Sequence, residues 1–196
     1  KVVNINGGPI KTNDIPAATQ LFTTDWVVRY MVDNSLGRLY LEYFPDSPIK
    51  EALTYLLPGP IEKRTDEFDI TKLKILDDAM GSGHILVYAF DLLIKMYIEQ
   101  GYGQREAASA ILAHNLYGLE IDKRAYQLAY FALMMKARQY SRRILNESVH
   151  HNLHVFETVD DVPNEAFEKM KAPKEVIDDL KLLAATLKQA KLLGSI

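Results

Sequence analysis

The sequence predicts an α/β fold in which a parallel sheet is flanked by helices and preceded by an N-terminal helical arm. Three short apolar runs have the character of buried strands and alternate with longer helical stretches, which is the pattern of a parallel sheet. The first run ends on an acid and passes through a tight turn, Gly81-Ser82-Gly83, directly into a helix. The 196 residues suffice for one sizeable core.

The N-terminal part predicts an arm followed by helices. Residues 1–16 have the composition of a loop, and a helix is expected over residues 24–36, with Thr23 or Thr24 as its N-cap and Gly37 as its stop. Prolines divide residues 44–67 into short turns and one short helix, 49–57. We therefore predict two parts, residues 1–70 and an α/β part at 71–196.

The α/β part predicts strands at residues 73–76, 115–122 and 153–156. Helices are expected at 83–100, 104–114, 124–146, 164–171 and 173–193. On the third of these helices one side carries Leu128, Phe131, Ala132, Met135 and Arg138. Apolar residues at this spacing typically pack in a core.

The glycine turn indicates a ligand at the carboxyl edge of the sheet, where the N–H groups at the start of a helix are free to bind. A phosphate-binding P-loop ends in Gly-Lys-Ser/Thr, but His84 and Ile85 follow Gly83. A dinucleotide fingerprint needs a third glycine, and Leu86 stands there instead. Both phosphate-binding readings are therefore disfavoured.

Two acids narrow the choice of ligand. Asp77 closes the first strand, where a carboxylate faces an amine better than a phosphate. Glu120 lies near the end of the second strand, and an ionised carboxylate has two oxygens that can accept the hydroxyls of a ribose. A ligand with an ammonium group, a ribose and no phosphate fits this pair, and S-adenosylmethionine is such a ligand.

Three segments resemble the motifs of N6-adenine-specific DNA methyltransferases. Their D-P-A-C-G-S-G-H-(I/F)-L signature is matched by Asp77-Asp-Ala-Met-Gly-Ser-Gly-His-Ile-Leu86. Their G-(I/L)-E-I-D segment is matched at residues 118–122, and a Q-x-(F/Y)-T-P element at residues 20–24. The order of these elements is that of the gamma-type enzymes, and residues 125–137 look like the type IIG restriction-modification and PglX-like phage-defence proteins.

The resemblance implies a partial Rossmann-like fold that binds S-adenosylmethionine, and it assigns roles to individual residues. The methionine part of the cofactor would be lined by Asp77, Gly81, Ser82 and Gly83 and covered by Phe22, Thr23 and Thr24. Glu120 would hold the ribose. Ile121 would lie against the adenine ring, and Glu157, after the third strand, would contact the adenine amine.

The sequence departs from the family at Asp78 and Thr24, where the family usually has proline, so φ is unrestricted at both positions. The family's catalytic (N/D/S)-P-P-(Y/F) tetrapeptide is absent, and Asp161-Val-Pro-Asn164 is the nearest look-alike. We therefore expect a cofactor-binding piece of a larger enzyme that methylates nothing by itself and has no catalytic residue of its own.

Two alternatives remain open at this point. Protein-glutamine and RNA methyltransferases share the glycine turn and the tetrapeptide, although the F-T-P-like element favours DNA. A second alternative is a non-catalytic scaffold that binds the cofactor, which Asp78 and the absence of the tetrapeptide would support.

Composition limits the partners. A net charge of −3 lacks the basic footprint of a self-sufficient DNA-binding protein, so double-stranded DNA is expected to bind through the parent protein. The chain has no cysteine, and the histidines near residue 151 are read as surface groups, so we expect no metal. The apolar stretch at residues 85–98 is interrupted by Asp91 and Lys95 and is too short to span a bilayer, so we expect no membrane. The absence of cysteine also favours a cytoplasmic location. An exposed sheet edge predicts possible self-association of the piece.

Overall fold

The structure is a computed structural model that describes residues 23–146, 149–156 and 164–187. The chain divides into two compact units, one formed by Leu21–Val155 and the other by Lys1–Gln20 with Phe156–Ile196. Phe22 and Glu157, two of the predicted cofactor residues, lie outside the described residues.

The larger unit contains a parallel sheet of three strands. These are β1 (Ile75–Asp77), β2 (Leu116–Glu120) and β3 (Asn152–Val155), and they lie in the order β1-β2-β3. Because all three run in the same direction, their carboxyl ends share one edge of the sheet. In register, Asp77 pairs with Gly118 and Glu120 with Val155. The predicted α/β fold with a parallel sheet and flanking helices is confirmed.

Five α-helices are described in this unit: α1 (Asp25–Val32), α2 (Arg38–Tyr43), α3 (His84–Glu99), α4 (Gln104–Ala110) and α5 (Lys123–Arg138). Two π-helical turns, Asp33–Gly37 and Ile111–Asn115, connect α1 to α2 and α4 to β2, and short 3₁₀ segments occupy Pro48–Ala52 and Ile70–Lys72. The smaller unit contains α6 (Asn164–Glu168) and α7 (Lys174–Leu187). Within the described residues, none of these helices is long and apolar enough to cross a membrane.

The predicted helix stop at Gly37 is wrong. The chain remains helical through the π-helical turn and continues as α2 to Tyr43, and Gly37 keeps right-handed helical dihedral angles. A Cβ on Gly37 would lie 2.6 Å from a side-chain carbon of Leu53. The glycine is therefore explained by close packing against Leu53 rather than by helix termination.

The predicted core stripe on α5 is also wrong. Leu128 is 57% exposed and Phe131 is 62% exposed. The buried side is instead formed by small and medium residues: Ala125, Ala129, Leu133, Met134 and Ala137. Alanines let α5 approach its neighbours closely, so packing distance rather than hydrophobicity decided which side faces the core.

A buried asparagine just before β2 holds the segment that leads into β1. The Asn115 amide nitrogen donates to the Ile70 carbonyl at 2.8 Å and to the Leu73 carbonyl at 2.7 Å. Its Oδ1 atom accepts a hydrogen bond from the Tyr97 hydroxyl at 2.8 Å. Asn115 has no exposed surface. The Ile70 carbonyl also accepts from the Leu73 amide at 3.3 Å, so the Leu73 carbonyl and the Tyr97 hydroxyl depend on Asn115 most.

Asn115→Ala is expected to lower the free energy of unfolding by about 3 kcal/mol. The Leu73 carbonyl and the Tyr97 hydroxyl would lose this partner, and the Ile70 carbonyl would keep only the Leu73 amide. Urea unfolding followed by circular dichroism measures this. Asn146→Ala, at an exposed asparagine, is the matched control and should change stability by less than about 0.5 kcal/mol. Equal losses in the two variants would contradict the structural role of Asn115.

Candidate functional site

The turn between β1 and α3 depends on two glycines with left-handed backbone. Gly81 has φ 53° and Gly83 has φ 84°, a region that other residues rarely adopt. Gly83 also precedes α3 as its N-cap, and a Cβ there would lie 2.9 Å from the Cβ of Ala129. Gly81 differs, because a Cβ at that position would meet nothing within 4 Å. The turn thus packs closely against α5 on one side and borders open space on the other.

Backbone hydrogen bonds fasten this turn to the central strand. The Met80 amide donates to the Leu119 carbonyl at 3.0 Å, and the Gly83 amide donates to the Met80 carbonyl at 2.8 Å. The side chain of Met80 is buried over Gly118, where a Cβ would collide with the methionine sulfur. A glycine at position 118 therefore leaves room for Met80 beneath the turn.

Glu120 is the buried acceptor that organises the edge. Its Oε2 atom accepts from the Gly81 amide at 2.7 Å, which ties the turn to β2. Its Oε1 atom accepts from the amides of Ile121 and Asp122 at 2.8 and 2.9 Å. The residue is only 9% exposed. Three charge-assisted bonds thus hold the carboxylate in one orientation at the end of its strand.

Asp77 lies beside Glu120 with unused acceptor capacity. Its Oδ1 atom accepts a long bond from the Ala79 amide at 3.3 Å. Its Oδ2 atom is buried and accepts no hydrogen bond from any part of the chain that the structure describes. Burial, followed by the negative charges of Asp78 and Glu120, raises the pKa of Asp77, while the Ala79 amide opposes this. The carboxylate therefore lacks a donor or a positive charge at Oδ2.

The surrounding charge is negative. Asp78 is exposed beside Asp77, and Asp122 follows Glu120 as the N-cap of α5. Asp122 accepts from the Arg124 amide at 2.9 Å, and the Arg124 guanidinium lies 3.3 Å from the same oxygen. The negative charges of Asp78 and Glu120, which both act on Asp77, make this edge attractive to a cation and repulsive to a phosphate.

Of the other predicted residues, two adjoin this centre along the chain and two lie ahead of α1. Ser82 is half-buried within the turn, and Ile121 is half-buried immediately after Glu120. Thr23 and Thr24 are exposed ahead of α1; Thr24 occupies the N-cap position, but its side chain makes no capping hydrogen bond. Thr23 lines a cavity of about 280 Å³ together with His84, the first residue after the glycine turn.

Sequence reasoning overlooked that Met80, in the turn, packs against Gly118 of β2. For Gly118 the signal was present, because a lone glycine within a strand pattern often marks the close approach of another group. It also overlooked the buried Asp33, whose position in a predicted helix carried no sign that it would meet a tyrosine of α3.

Comparison with known proteins identifies the family. The family described as "MmeI, DNA-methyltransferase domain" matches residues 63–162, which is just over half of the chain and includes the glycine turn, Asp77 and Glu120. The chain belongs to this family of DNA-methyltransferase domains. The resemblance to adenine-specific DNA methyltransferases inferred from the three motifs is thereby confirmed.

Two curated relatives are similar over most of the chain. The "Adenine-specific methyltransferase PglX" of Lacticaseibacillus casei is 44% identical over 175 residues, 80% of this chain and 14% of the relative. The "Adenine-specific methyltransferase BrxX" of Escherichia coli is 44% identical over 158 residues, 75% of this chain and 13% of the relative. The chain thus spans about one seventh of the length of these methyltransferases.

Proposed function

We propose that this methyltransferase domain binds S-adenosylmethionine at the edge formed by Asp77, the glycine turn and Glu120. The observation that carries the proposal is the buried Oδ2 atom of Asp77, which accepts no hydrogen bond from the described residues. A buried carboxylate oxygen without a donor is costly. The α-ammonium group of the methionine moiety would supply both a donor and a positive charge.

The remaining groups suit the rest of the cofactor. Glu120 Oε2 accepts one bond, from Gly81, and a carboxylate oxygen can accept two, so it has capacity for a ribose hydroxyl. The open space beside Gly81 admits a ligand against the backbone. Half-buried Ile121 offers an apolar surface to a planar ring, and Ser82 remains assigned to the methionine part.

The N-terminal threonines would close the methionine end. Thr23 lines the cavity that includes His84 at the start of α3, so a group bound above the glycine turn would lie within reach of the segment before α1. Phe22 and Glu157 keep the roles that the family resemblance implies, as lid and as contact to the adenine amine.

The proposed reaction of the parent protein is methylation of adenine N6 in DNA, as part of a restriction-modification or phage-defence system. The cofactor supplies an electrophilic methyl on its sulfonium; N6 gains this methyl and loses a proton, which leaves S-adenosylhomocysteine. The names of the two relatives support an adenine target. The residues described here would bind and orient the donor, while double-stranded DNA would be held by other parts of the parent.

Calorimetric titration tests the proposal directly. S-adenosylmethionine and S-adenosylhomocysteine should each bind the chain with a Kd of about 10–100 μM. ATP, which shares the adenosine, should give no measurable heat because Asp77 and Glu120 repel its phosphates. Incubation with adenine-containing duplex DNA and labelled cofactor should transfer no methyl, because the 196 residues contain no catalytic tetrapeptide. Binding of ATP as tight as that of S-adenosylmethionine would contradict the assignment.

A further inference from the structure

A buried carboxylate connects the N-terminal helical segment to the helix that follows the glycine turn. Asp33, at the start of the π-helical turn between α1 and α2, has no exposed surface. Its Oδ1 atom accepts from the Tyr88 hydroxyl of α3 at 2.7 Å, and its Oδ2 atom accepts from the Tyr55 amide at 2.9 Å. Each oxygen of the buried charge is thus hydrogen-bonded to a different part of the unit.

The π-helical turn orients this carboxylate. Such a turn adds one residue to a helix and often occurs at functional positions. The next residue, Asn34, donates to the Tyr30 and Tyr55 carbonyls and accepts from the Leu57 amide, each at 2.8 Å. The loop around Tyr55 is therefore held on one side of the turn, and the Asp33 side chain reaches α3 in one defined register.

Tyr88 also contacts α1 through its ring. The Arg29 guanidinium lies 4.9 Å from the ring centroid, and Arg29 Nε lies 2.7 Å from a carboxylate oxygen of Asp25, at the start of α1. Burial and the bond to Asp33 raise the pKa of Tyr88, so the hydroxyl stays a donor across the neutral range. Tyr88 is thus contacted by Arg29, within α1, and by Asp33, immediately after α1.

These contacts border the cavity that Thr23 lines. Tyr88 and Arg29 line the same cavity of about 280 Å³ as Thr23 and His84. The Tyr88–Asp33 hydrogen bond of 2.7 Å would be lost if the helices shifted by about 1 Å, because the two oxygens would then lie beyond the usual range of about 2.5–3.0 Å. The Asp33–Tyr88 pair therefore fixes where the threonines stand relative to α3.

We infer that Asp33 and Tyr88 are positioning residues that hold α1, and with it Thr23 and Thr24, in register over the start of α3 so that the methionine end of the cofactor is covered. The inference rests on the proposed cofactor function. Neither residue touches the cofactor; each acts through the placement of the threonines.

Tyr88→Phe tests the inference, because it removes only the hydroxyl and keeps the ring under Arg29. Tyr97→Phe is the matched control: Tyr97 lies on the same helix, is buried, and donates its hydroxyl to Asn115 at 2.8 Å. Asn115 lies at the opposite end of β2 from Glu120. Both variants should lose similar stability. A difference between them in cofactor affinity or in α1 hydrogen exchange therefore cannot come from stability alone.

Tyr88→Phe is expected to weaken S-adenosylmethionine binding by about five- to tenfold in calorimetry, with Tyr97→Phe within about twofold of the unaltered chain. Hydrogen exchange of the α1 amides should be about tenfold faster in Tyr88→Phe and unchanged in Tyr97→Phe. These results would support the inference.

Equal affinities in all three proteins, or equal losses in both variants, would overturn it. If the unaltered chain binds no S-adenosylmethionine, the proposed function fails for this chain, and hydrogen exchange then decides the inference. Unchanged exchange of the α1 amides in Tyr88→Phe would overturn it in that case too, and faster exchange confined to that variant would support the positioning of α1.

Discussion

Glu120→Gln is expected to abolish cofactor binding and to destabilise the domain. The carboxylate accepts from three backbone amides with its two oxygens. A glutamine has a single acceptor oxygen, so if that oxygen keeps the amides of Ile121 and Asp122, its NH₂ group faces the Gly81 amide, donor against donor. The free energy of unfolding should fall by about 2–3 kcal/mol. Affinity for S-adenosylmethionine should fall at least about 100-fold, because the Gly81 amide of the turn and the ribose hydroxyl would both lose the Oε2 acceptor.

Urea unfolding and calorimetric titration on one preparation measure both effects. Glu106→Gln, at an exposed glutamate of α4, makes the same chemical change away from the site and should alter neither. A Glu120→Gln variant that binds the cofactor like the unaltered chain would remove Glu120 from the site, and unchanged stability would contradict its role in holding the turn.

Asp77→Asn is expected to have the opposite effect on stability. The raised pKa of Asp77 means that its ionised form is disfavoured in the folded domain by burial and by neighbouring charges. A neutral amide removes that cost, so the midpoint of thermal unfolding at pH 7 should rise by about 2–4 °C. Cofactor affinity should nevertheless fall by at least about 30-fold, because the ammonium group loses its counter-charge.

The pH dependence follows from the direction of the shift. A carboxyl group whose pKa is raised in the folded state contributes stability that is present below the unfolded value of 3.8 and is lost as the pH rises through the folded pKa. Asparagine resembles the protonated form, so the advantage of Asp77→Asn should be largest near pH 7 and should disappear as the pH falls to 3.8. Thermal unfolding followed across this range measures it.

Asp78→Asn is the matched control for Asp77→Asn, since it removes an adjacent but exposed charge. It should change the unfolding midpoint by less than about 1 °C and the affinity by less than about threefold. A gain in stability together with a loss of binding is the pattern of a residue kept for function at a cost in stability. Unchanged binding in Asp77→Asn would remove the Oδ2 atom from the cofactor site. Lower stability at pH 7 would contradict the cost assigned to burying the carboxylate.

The glycine turn and its two acids were predictable because their signal is local. Left-handed dihedral angles at positions 81 and 83 require glycine almost regardless of the surroundings. Parallel strands bring their carboxyl ends to one edge, so an acid at the end of each strand is placed near the other by topology alone. The structure adds that Glu120 binds the turn itself, through the Gly81 amide, which the spacing of the two motifs could not reveal.

Element boundaries were less predictable because distant partners decide them. The first strand was expected to begin at residue 73, but β1 begins at Ile75, and the Leu73 carbonyl accepts from Asn115 instead. The helix expected to reach residue 146 ends at Arg138, after which the chain turns so that Tyr140 lies against Phe90 and Ile144 becomes fully buried. In both cases a side chain far along the sequence offers a better contact than continuation of the element.

The parallel α/β fold, the glycine turn and the placement of Asp77 and Glu120 at one edge of the sheet could be predicted from the sequence, because they follow from backbone sterics and strand direction. Long-range contacts in the folded domain, by contrast, set the continuation of the helix through Gly37, the packing of α5 through its alanines, and the bond between Asp33 and Tyr88. These outcomes depend on how closely two surfaces can approach and on which buried polar group finds its partner, and neither is encoded in the local pattern.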